Sequence, residues 1–174
     1  GWIDRKQYIE IGKDEFFLFT RAKALYTGEF VNEVRVSNDR TGISYMARLP
    51  FASRIFSKCY KVGNYEIDAS ETCLLKEEPF CREKLEAYLE NYLYTPYLWG
   101  GKSNFATDCS GFTQSIFKMF GIRLSRDASQ QFMQGNTVAS LNEAKAGDLA
   151  FFSNNAGKIV HVGILLSKDS IVHA

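Results

Sequence analysis

The chain has 174 residues, enough for one domain of medium size or for two small ones. Its composition, 45% hydrophobic and 24% charged, is that of an ordinary folded domain, and its formal net charge of +1 gives no electrostatic basis for binding nucleic acid or an anionic membrane. The apolar runs, such as residues 159–166, are too short to span a bilayer.

Residues 1–76 have the pattern of several short β-strands. Val34 and Val36 alternate with polar neighbours, and the alternation resumes over residues 43–49. Gly63-Asn64, placed between two further strand-like segments, predicts a hairpin. Turns that recur at intervals of about ten residues predict a small all-β barrel.

The sequence pattern changes from strand-like to helix-like at Glu77-Glu78-Pro79, and we place a domain boundary between residues 76 and 77. Apolar residues at helical spacing follow over residues 85–93, and Thr95-Pro96 is predicted to stop that helix. Acidic residues and proline suit a helix start.

A second helix is predicted to begin at Cys109, with Asp108 as its N-cap and Gly121 just beyond its end. Three strands are then predicted over residues 148–152, 159–166 and 170–174.

Cys109 is the candidate nucleophile, because the partial positive charge of a helix N-terminus stabilises a thiolate. Polar Asp108 and Ser110 beside it, and Gly111 after them, favour an accessible site to which a ligand can come close. The alternative is a buried structural cysteine. That alternative also applies to the other cysteines, Cys59, Cys73 and Cys81.

His161 and His173, the two histidines of the chain, are the candidate partners of the thiol. His161 shares a predicted strand face with Gly163, whose small size would leave room for the end of the Cys109 helix. A loop of three residues, 167–169, would place His173 on the same face, diagonal to His161, whereas a loop of two would place it opposite.

We therefore predict an odd loop length and a contact between the imidazoles, direct or through water. His173 would orient His161 as the third group of a catalytic triad does. The alternatives are a hydrogen-bonded core histidine for His161 and an incidental position for His173.

One cysteine and two histidines could instead hold zinc, since three protein ligands with an open position form a catalytic zinc site. No short spacing of cysteines or histidines supports that alternative. P-loop and dinucleotide-binding glycine patterns are also missing, so we expect neither a metal nor another cofactor, and no nucleic-acid partner.

An ordered set of short motifs between residues 80 and 174 resembles the NlpC-type cell-wall cysteine peptidases. The motifs are Pro96-Tyr97-Leu98-Trp99-Gly100-Gly101, Asp108-Cys109-Ser110-Gly111-Phe112, Arg126-Asp127-Ala128-Ser129-Gln130, Gly147-Asp148-Leu149, His161-Val162-Gly163 and His173. The resemblance implies an α+β fold, with a papain-like domain of helices packed on an antiparallel sheet over residues 77–174. Residues 1–76 resemble the SH3-like barrels that often precede such domains.

The same resemblance implies hydrolysis of peptidoglycan stem peptides, between the γ-carboxyl group of D-glutamate and the following lysine or diaminopimelate. Cys109 would form a thioester, and His161 would act as acid and then as base, oriented by His173. The Cys109 N–H, with the Tyr97 hydroxyl, would form an oxyanion hole, and Trp99 would line the cleft. The alternative for both aromatic residues is a place in the core.

Residues predicted to bind substrate match positions around the cleft of similar enzymes. They are Asp108, Ser110, Arg126, Asp127 and Ser129. In enzymes that recycle free muropeptides, the residues at the positions of Asp108 and Ser110 hold the free amine of L-alanine; the alternative for Asp108 is a helix cap alone. Ala128 stands where a hydroxyl residue is common, which predicts that a contact is lost or moved to Ser129.

Two other functions stay open: acyl transfer to an amine or alcohol by an amidase-like enzyme, and cell-wall binding by an inactive domain. The expected partner is peptidoglycan, as intact wall or free muropeptide, and the bacterial cell envelope, periplasmic or secreted, is preferred to the cytoplasm. The last predicted strand runs to Ala174 without a turn. The first residues, Gly1-Trp2-Ile3-Asp4, resemble the tail of an upstream SH3-like domain. We therefore expect further residues at both ends.

Overall fold

The computed structural model describes residues 5, 8–21 and 23–174, and the chain forms two compact units, residues 1–76 and 77–174. The described part of the N-terminal unit contains helix α1 (Lys13–Arg21) and the strands β1 (Leu25–Thr27), β2 (Val31–Asn38), β3 (Ile43–Pro50), β4 (Arg54–Ile55), β5 (Cys59–Val62), β6 (Tyr65–Asp68) and β7 (Leu74–Lys76).

Antiparallel sheets form the N-terminal unit, one in the order β3-β2-β6-β5 and another in the order β4-β1-β7. Val34 and Val36 point into the core, where they pack with Ile55 and Ala69. The predicted hairpin at Gly63 is confirmed, because β5 pairs with β6 across it and Gly63 has φ +57°. The resemblance of this unit to SH3-like barrels stays a prediction.

Helix α1 was not expected in the all-β unit. Asp14 and Glu15 in its first turn suit the helix dipole, and Phe19 is its buried side chain, stacked on Phe56 with 4.3 Å between ring centroids. A nine-residue helix that buries one side chain leaves little periodic pattern in the sequence, so the prediction missed it.

The described part of the C-terminal unit combines helices with antiparallel strands, which confirms the α+β class. Its elements are α2 (Arg82–Glu90), β8 (Lys102–Ser103), β9 (Ala106–Thr107), α3 (Cys109–Phe117), a 3₁₀ turn (Lys118–Phe120), α4 (Ala128–Phe132), β10 (Leu149–Ser153), β11 (Ile159–Ser167) and β12 (Ser170–Val172). The last three strands form one sheet in the order β10-β11-β12, and α3 and α4 both pack on β11.

Helix α3 lies at the centre of this unit, with every residue except Gln114 buried. A helix surrounded by protein on all sides needs apolar or small residues on all faces, and its sequence, Cys-Ser-Gly-Phe-Thr-Gln-Ser-Ile-Phe, meets that need. As predicted, Asp108 caps its start, and Gly121 adopts the left-handed conformation after the 3₁₀ turn, with φ +72°. The core therefore fixes the position of Cys109.

The ends of two elements differ from the prediction. Helix α2 ends at Glu90, and turns follow it as far as Pro96, with Leu93 exposed. The predicted helix is longer because the apolar spacing continues to residue 93, beyond the end of the helix. Strand β12 ends at Val172 and not at Ala174. Among the described helices, none combines the length and apolar character that a membrane crossing requires.

Candidate active site

Cys109 is the first residue of α3, and its side chain lies at the end of a well-capped helix. The Asp108 Oδ1 atom accepts a hydrogen bond from the Gly111 N–H at 2.7 Å, and the Asp108 carbonyl oxygen accepts one from the Phe112 N–H at 2.9 Å. The N–H groups of Cys109 and Ser110 have no hydrogen-bond partner among the described residues. Free N–H groups at a helix start can hold a negatively charged oxygen, here directly beside the thiol.

A glycine turn packs against this first helical turn. The Gly100 N–H donates to Asp108 Oδ2 at 2.8 Å, and the Asp108 N–H donates to the Gly101 carbonyl oxygen at 3.1 Å. A Cβ atom at Gly111 would lie far inside van der Waals contact with that same carbonyl oxygen. Gly111 is therefore required by the close approach of the turn, which brings residues 97–101 beside Cys109.

Asp108 forms a second, longer-range connection to Arg126. The guanidinium group donates from Nη2 to Asp108 Oδ2 at 2.6 Å and from Nη1 to Asp108 Oδ1 at 3.0 Å, a bidentate pair. Nη1 also donates to Ser110 Oγ at 3.0 Å. Asp108 is thus the N-cap of α3, which was the alternative to a substrate contact, and it also binds Arg126.

The pKa of Asp108 reflects these contacts. Burial acts to raise it, but hydrogen bonds from Arg126, Gly111 and Gly100, together with the charge of Arg126, lower the pKa below its ordinary value. Asp108 is therefore a carboxylate at neutral pH, and its oxygens accept hydrogen bonds from backbone and guanidinium groups on several sides.

Tyr97 and Trp99 lie on the surface, 56% and 88% exposed, so neither is a core residue. Tyr97 forms an isolated bridge with Thr107, two residues before the nucleophile candidate. Burial, followed by the charges of Cys109 and Asp108, raises the pKa of Tyr97 above its ordinary value. Both positions suit a cleft wall.

The two imidazoles contact each other, as predicted. The ring centroids of His161 and His173 are 5.1 Å apart and the ring planes are nearly perpendicular, at 85°. The predicted loop length was wrong: Ser167 pairs with Ser170, so the loop has two residues. A register shift between Leu165 and Ser167 inserts an extra residue in β11, and this bulge restores the odd offset that puts His173 diagonal to His161.

The expected neighbour of Gly163 was also wrong. Its empty side faces Ile171 and His173, not α3: an added Cβ atom would lie 2.6 Å from Ile171 Cδ1 and 3.0 Å from His173 Cβ. Gly163 therefore makes room for the second histidine. Cys109 instead packs with Val162, the residue after His161, and with Ala128. Direct contact between sulfur and imidazole stays a prediction.

His161 is half-buried, and its surroundings favour the neutral ring. Burial, and then the positive charge of His173, lower the pKa of His161 below the ordinary value of histidine. A neutral imidazole near a thiol can take up its proton, which is what a general base does.

The C-terminal part of the chain is similar to known proteins. Residues 94–174 match the model of the NlpC/P60 family. These residues form an NlpC/P60 domain. A γ-D-glutamyl-L-lysine dipeptidyl-peptidase of Bacillus subtilis is 47% identical over 85 residues, 48% of this chain and 28% of the relative, and a probable endopeptidase p60 of Listeria monocytogenes is 38% identical over 88 residues, 51% of this chain and 18% of the relative.

A solved structure resembles the chain over a longer range. The crystal structure of an NlpC/P60 family protein from Bacillus cereus aligns with a TM-score of 0.74 and 25% identity, covering 99% of this chain and 60% of that protein. The chain spans less than a third of the Bacillus subtilis relative. The curated relatives that it matches are named dipeptidyl-peptidases and probable endopeptidases.

We expect the Asp108–Arg126 pair to stabilise the NlpC/P60 domain. Arg126→Met leaves a buried carboxylate without its cation and should lower the free energy of unfolding by about 2 kcal/mol at pH 7. Because the pKa of Asp108 is lowered in the folded protein, this stabilisation is present at neutral pH and lost as the pH falls through that lowered pKa. Urea denaturation at pH 7 and in acid measures both effects.

Arg123→Met is the matched control for that substitution, since Arg123 is exposed three residues earlier in the same loop. It should leave the unfolding transition within about 0.5 kcal/mol of wild type. Equal losses in the two variants, or a loss from Arg126→Met that does not shrink in acid, would contradict the assignment.

We expect Gly163→Ala to move His173. The new methyl group would meet Ile171 and His173, so the end of β12 must shift away from β11. The hydrolysis proposed below for the C-terminal unit should fall by about tenfold or more. Gly135→Ala, an exposed substitution with open space around its Cβ and no positive φ, tests whether a general loss of folding explains the result. Turnover measured per folded molecule, with the chemical shifts of the His173 ring, makes the comparison.

Sequence reasoning missed one buried polar residue beside the candidate site, Gln131 of α4. Its Nε2 group donates to the carbonyl oxygens of Ser110 at 3.0 Å and Ser125 at 2.8 Å, and its Oε1 atom accepts from Thr113 Oγ at 2.8 Å. A glutamine three residues after Ala128, on the same face of a short helix, was the available signal.

Asp127 and Ser129 are exposed and make no side-chain hydrogen bond to another described residue. Asp127 caps α4 through its backbone, accepting from the N–H groups of Gln130 and Gln131 at 3.0 and 2.9 Å. A substrate contact by either side chain stays a prediction.

The described residues include no group of three or more histidine, cysteine, aspartate or glutamate side chains placed to hold a metal ion. A groove of about 990 Å³ also lies in the C-terminal unit, lined by parts of residues 122–152 and 165–171. None of Cys109, His161 and His173 lines it. The chemistry of the side chains, not the size of the cavity, therefore locates the candidate active site.

Proposed function

We propose that this chain hydrolyses peptidoglycan stem peptides between the γ-carboxyl group of D-glutamate and the following diamino acid. The names of relatives support the substrate class, since the Bacillus subtilis protein is called a γ-D-glutamyl-L-lysine dipeptidyl-peptidase. The observation that carries the proposal is Cys109 at the start of a buried, capped helix whose first two N–H groups have no partner in the described structure.

Acyl transfer to a thiol needs a nucleophile and a site for the oxyanion. The N–H groups of Cys109 and Ser110 supply donors that are already in place before substrate binds. The Tyr97 hydroxyl is the proposed additional donor, since Tyr97 bridges to Thr107, two residues before Cys109. Preorganised donors lower the barrier because they need no rearrangement as charge develops on the carbonyl oxygen.

In the first step, His161 takes the proton from Cys109 and the sulfur attacks the γ-carbonyl carbon of D-glutamate. The tetrahedral intermediate collapses to a thioester as the C–N bond breaks, and the imidazolium gives its proton to the leaving amine of the diamino acid. In the second step, His161 takes a proton from water, which attacks the thioester, and the thiol leaves with that proton. His173 orients the His161 ring.

The relatives differ in name between dipeptidyl-peptidase and endopeptidase, so the N-terminal side of the substrate is the open specificity question. The proposed role of Asp108 and Ser110 is to hold the free amine of L-alanine. Both already bind Arg126, and the Asp108 side chain is 7% exposed. These contacts leave the two residues little free capacity for another donor, so the role needs a direct test.

Defined tripeptide and tetrapeptide stems, each with a free and an acetylated N-terminus, provide the test. We expect cleavage after D-glutamate, with the dipeptide and the released amine identified by mass spectrometry. Cleavage of free stems alone would support amine recognition and muropeptide recycling, whereas equal cleavage would remove that role from Asp108 and Ser110. No cleavage of any stem would overturn the proposed function.

Two alternatives have distinct products in the same assay. An acyltransferase would form a new amide when a competing amine is added, at the expense of the free acid. An inactive wall-binding domain would retain stem peptide without product, and its Cys109 would react with iodoacetamide at pH 6 no faster than an ordinary thiol.

A further inference from the structure

We infer that Gln131 is a positioning residue for the nucleophile: it holds the first turn of α3 in the geometry that presents Cys109 and its N–H group to the substrate. The inference rests on the proposed function, and it concerns a residue that does not touch the substrate. Its basis is a set of hydrogen bonds that connect α4 with the residue next to Cys109.

Gln131 is 2% exposed, and its amide group is fully used. One hydrogen of Nε2 goes to the Ser110 carbonyl oxygen and the other to the Ser125 carbonyl oxygen, while Oε1 accepts from Thr113. A buried amide in this position costs free energy unless each of its groups is paired. An apolar side chain at this position would not need these hydrogen bonds, so the buried glutamine calls for a reason beyond packing.

Residues 125–131 hold Ser110 from two sides. Arg126 binds its hydroxyl and the neighbouring Asp108 carboxylate, and Gln131 binds its main-chain carbonyl group. The bond from Gln131 to the Ser125 carbonyl oxygen joins the two attachments, because Ser125 directly precedes Arg126. The first turn of α3 is thus fixed at the side chain and at the backbone.

That fixation matters because the first turn of a helix frays most easily. The N–H groups of Cys109 and Ser110 have no partner in the described structure, so no hydrogen bond of their own holds them. A small rotation of the Ser110 peptide would turn these donors away from the developing oxyanion and change the direction of the thiol. A misplacement of about 1 Å at a reacting group can cost a factor of about 100 in rate.

The test compares Gln131→Met with wild type. Methionine keeps the length and volume but removes both donors and the acceptor. We expect kcat on the stem peptide to fall by about tenfold or more with KM within about twofold, since the substrate contacts remain. We also expect slower carboxymethylation of Cys109 at pH 6, followed by peptide mass spectrometry, and faster amide exchange in residues 109–113.

Gln134→Met is the matched control. Gln134 is exposed, accepts from the Ser125 N–H at 2.6 Å and donates to the Arg123 carbonyl oxygen at 3.2 Å, so it stabilises the same loop without reaching α3. It should leave kcat and the alkylation rate unchanged. If Gln131→Met and Gln134→Met lose stability alike but react at the wild-type rate per folded molecule, the inference is overturned.

Should Gln131→Met fail to fold, Thr113 provides a milder pair. Thr113→Val removes a hydroxyl that lies 2.8 Å from Gln131 Oε1 and 3.0 Å from the Ser110 carbonyl oxygen, and Thr113→Ser keeps it. Slower Cys109 alkylation in the valine variant, with recovery in the serine variant, supports the inference, and equal rates in both overturn it. Alkylation and amide exchange need no peptide substrate, so they decide this point even if wild type cleaves no stem peptide and the proposed function fails.

Discussion

Cys109→Ala is expected to abolish hydrolysis of γ-D-glutamyl stem peptides, with a loss in kcat of about 10⁴-fold or more. The side chain is buried at the start of α3, so alanine keeps the helix and its cap while removing the sulfur that forms the thioester. Release of the diamino acid, quantified by mass spectrometry, measures the loss. Binding of the uncleaved stem should persist, because the cleft walls are unchanged.

Cys81→Ala is the matched control for this substitution. Cys81 lies in the same unit, at the start of α2, and its side chain makes no capping hydrogen bond there. Its replacement should leave kcat unchanged. Residual hydrolysis by Cys109→Ala above about one-hundredth of wild type would contradict a thiol mechanism, since a water-based route does not depend on the sulfur.

The local part of the candidate site was predictable from sequence. The start of α3 could be placed because a capping aspartate, a small residue and a glycine occur together, each with a backbone reason. This prediction uses information contained within a few residues of the chain. The predicted contact between His161 and His173 is present, but it depends on a two-residue loop and a bulge in β11 and not on the predicted three-residue loop.

The connections between distant segments were not predictable in the same way. The bulge after Leu165 depends on the pairing of β11 with β12 and leaves no composition signal of its own. The contacts of Arg126 and Gln131 with the start of α3 join residues 16 to 21 positions apart, which a pattern along one helix cannot show. The sequence therefore predicts a substrate contact for Arg126, which stays a prediction, and does not reveal its ion pair with Asp108.

His161→Gln is expected to lower kcat/KM by about 10³-fold or more, because it removes the group that takes and returns the proton in both steps. His173→Gln should cost less, on the order of tenfold to a hundredfold, since the His161 ring stays but loses the ring 5.1 Å away that orients it. Initial rates on a tripeptide stem measure both, with circular dichroism to verify folding.

The pH dependence separates an orienting His173 from an incidental one. Burial, and then the charge of His173, lower the pKa of His161, so the acid limb of kcat/KM in wild type should lie below the ordinary histidine value of about 6.5. His173→Gln removes one of those two causes, and the acid limb should move to higher pH. An acid limb that stays in place, with unchanged kcat, would show that the two rings touch without acting together.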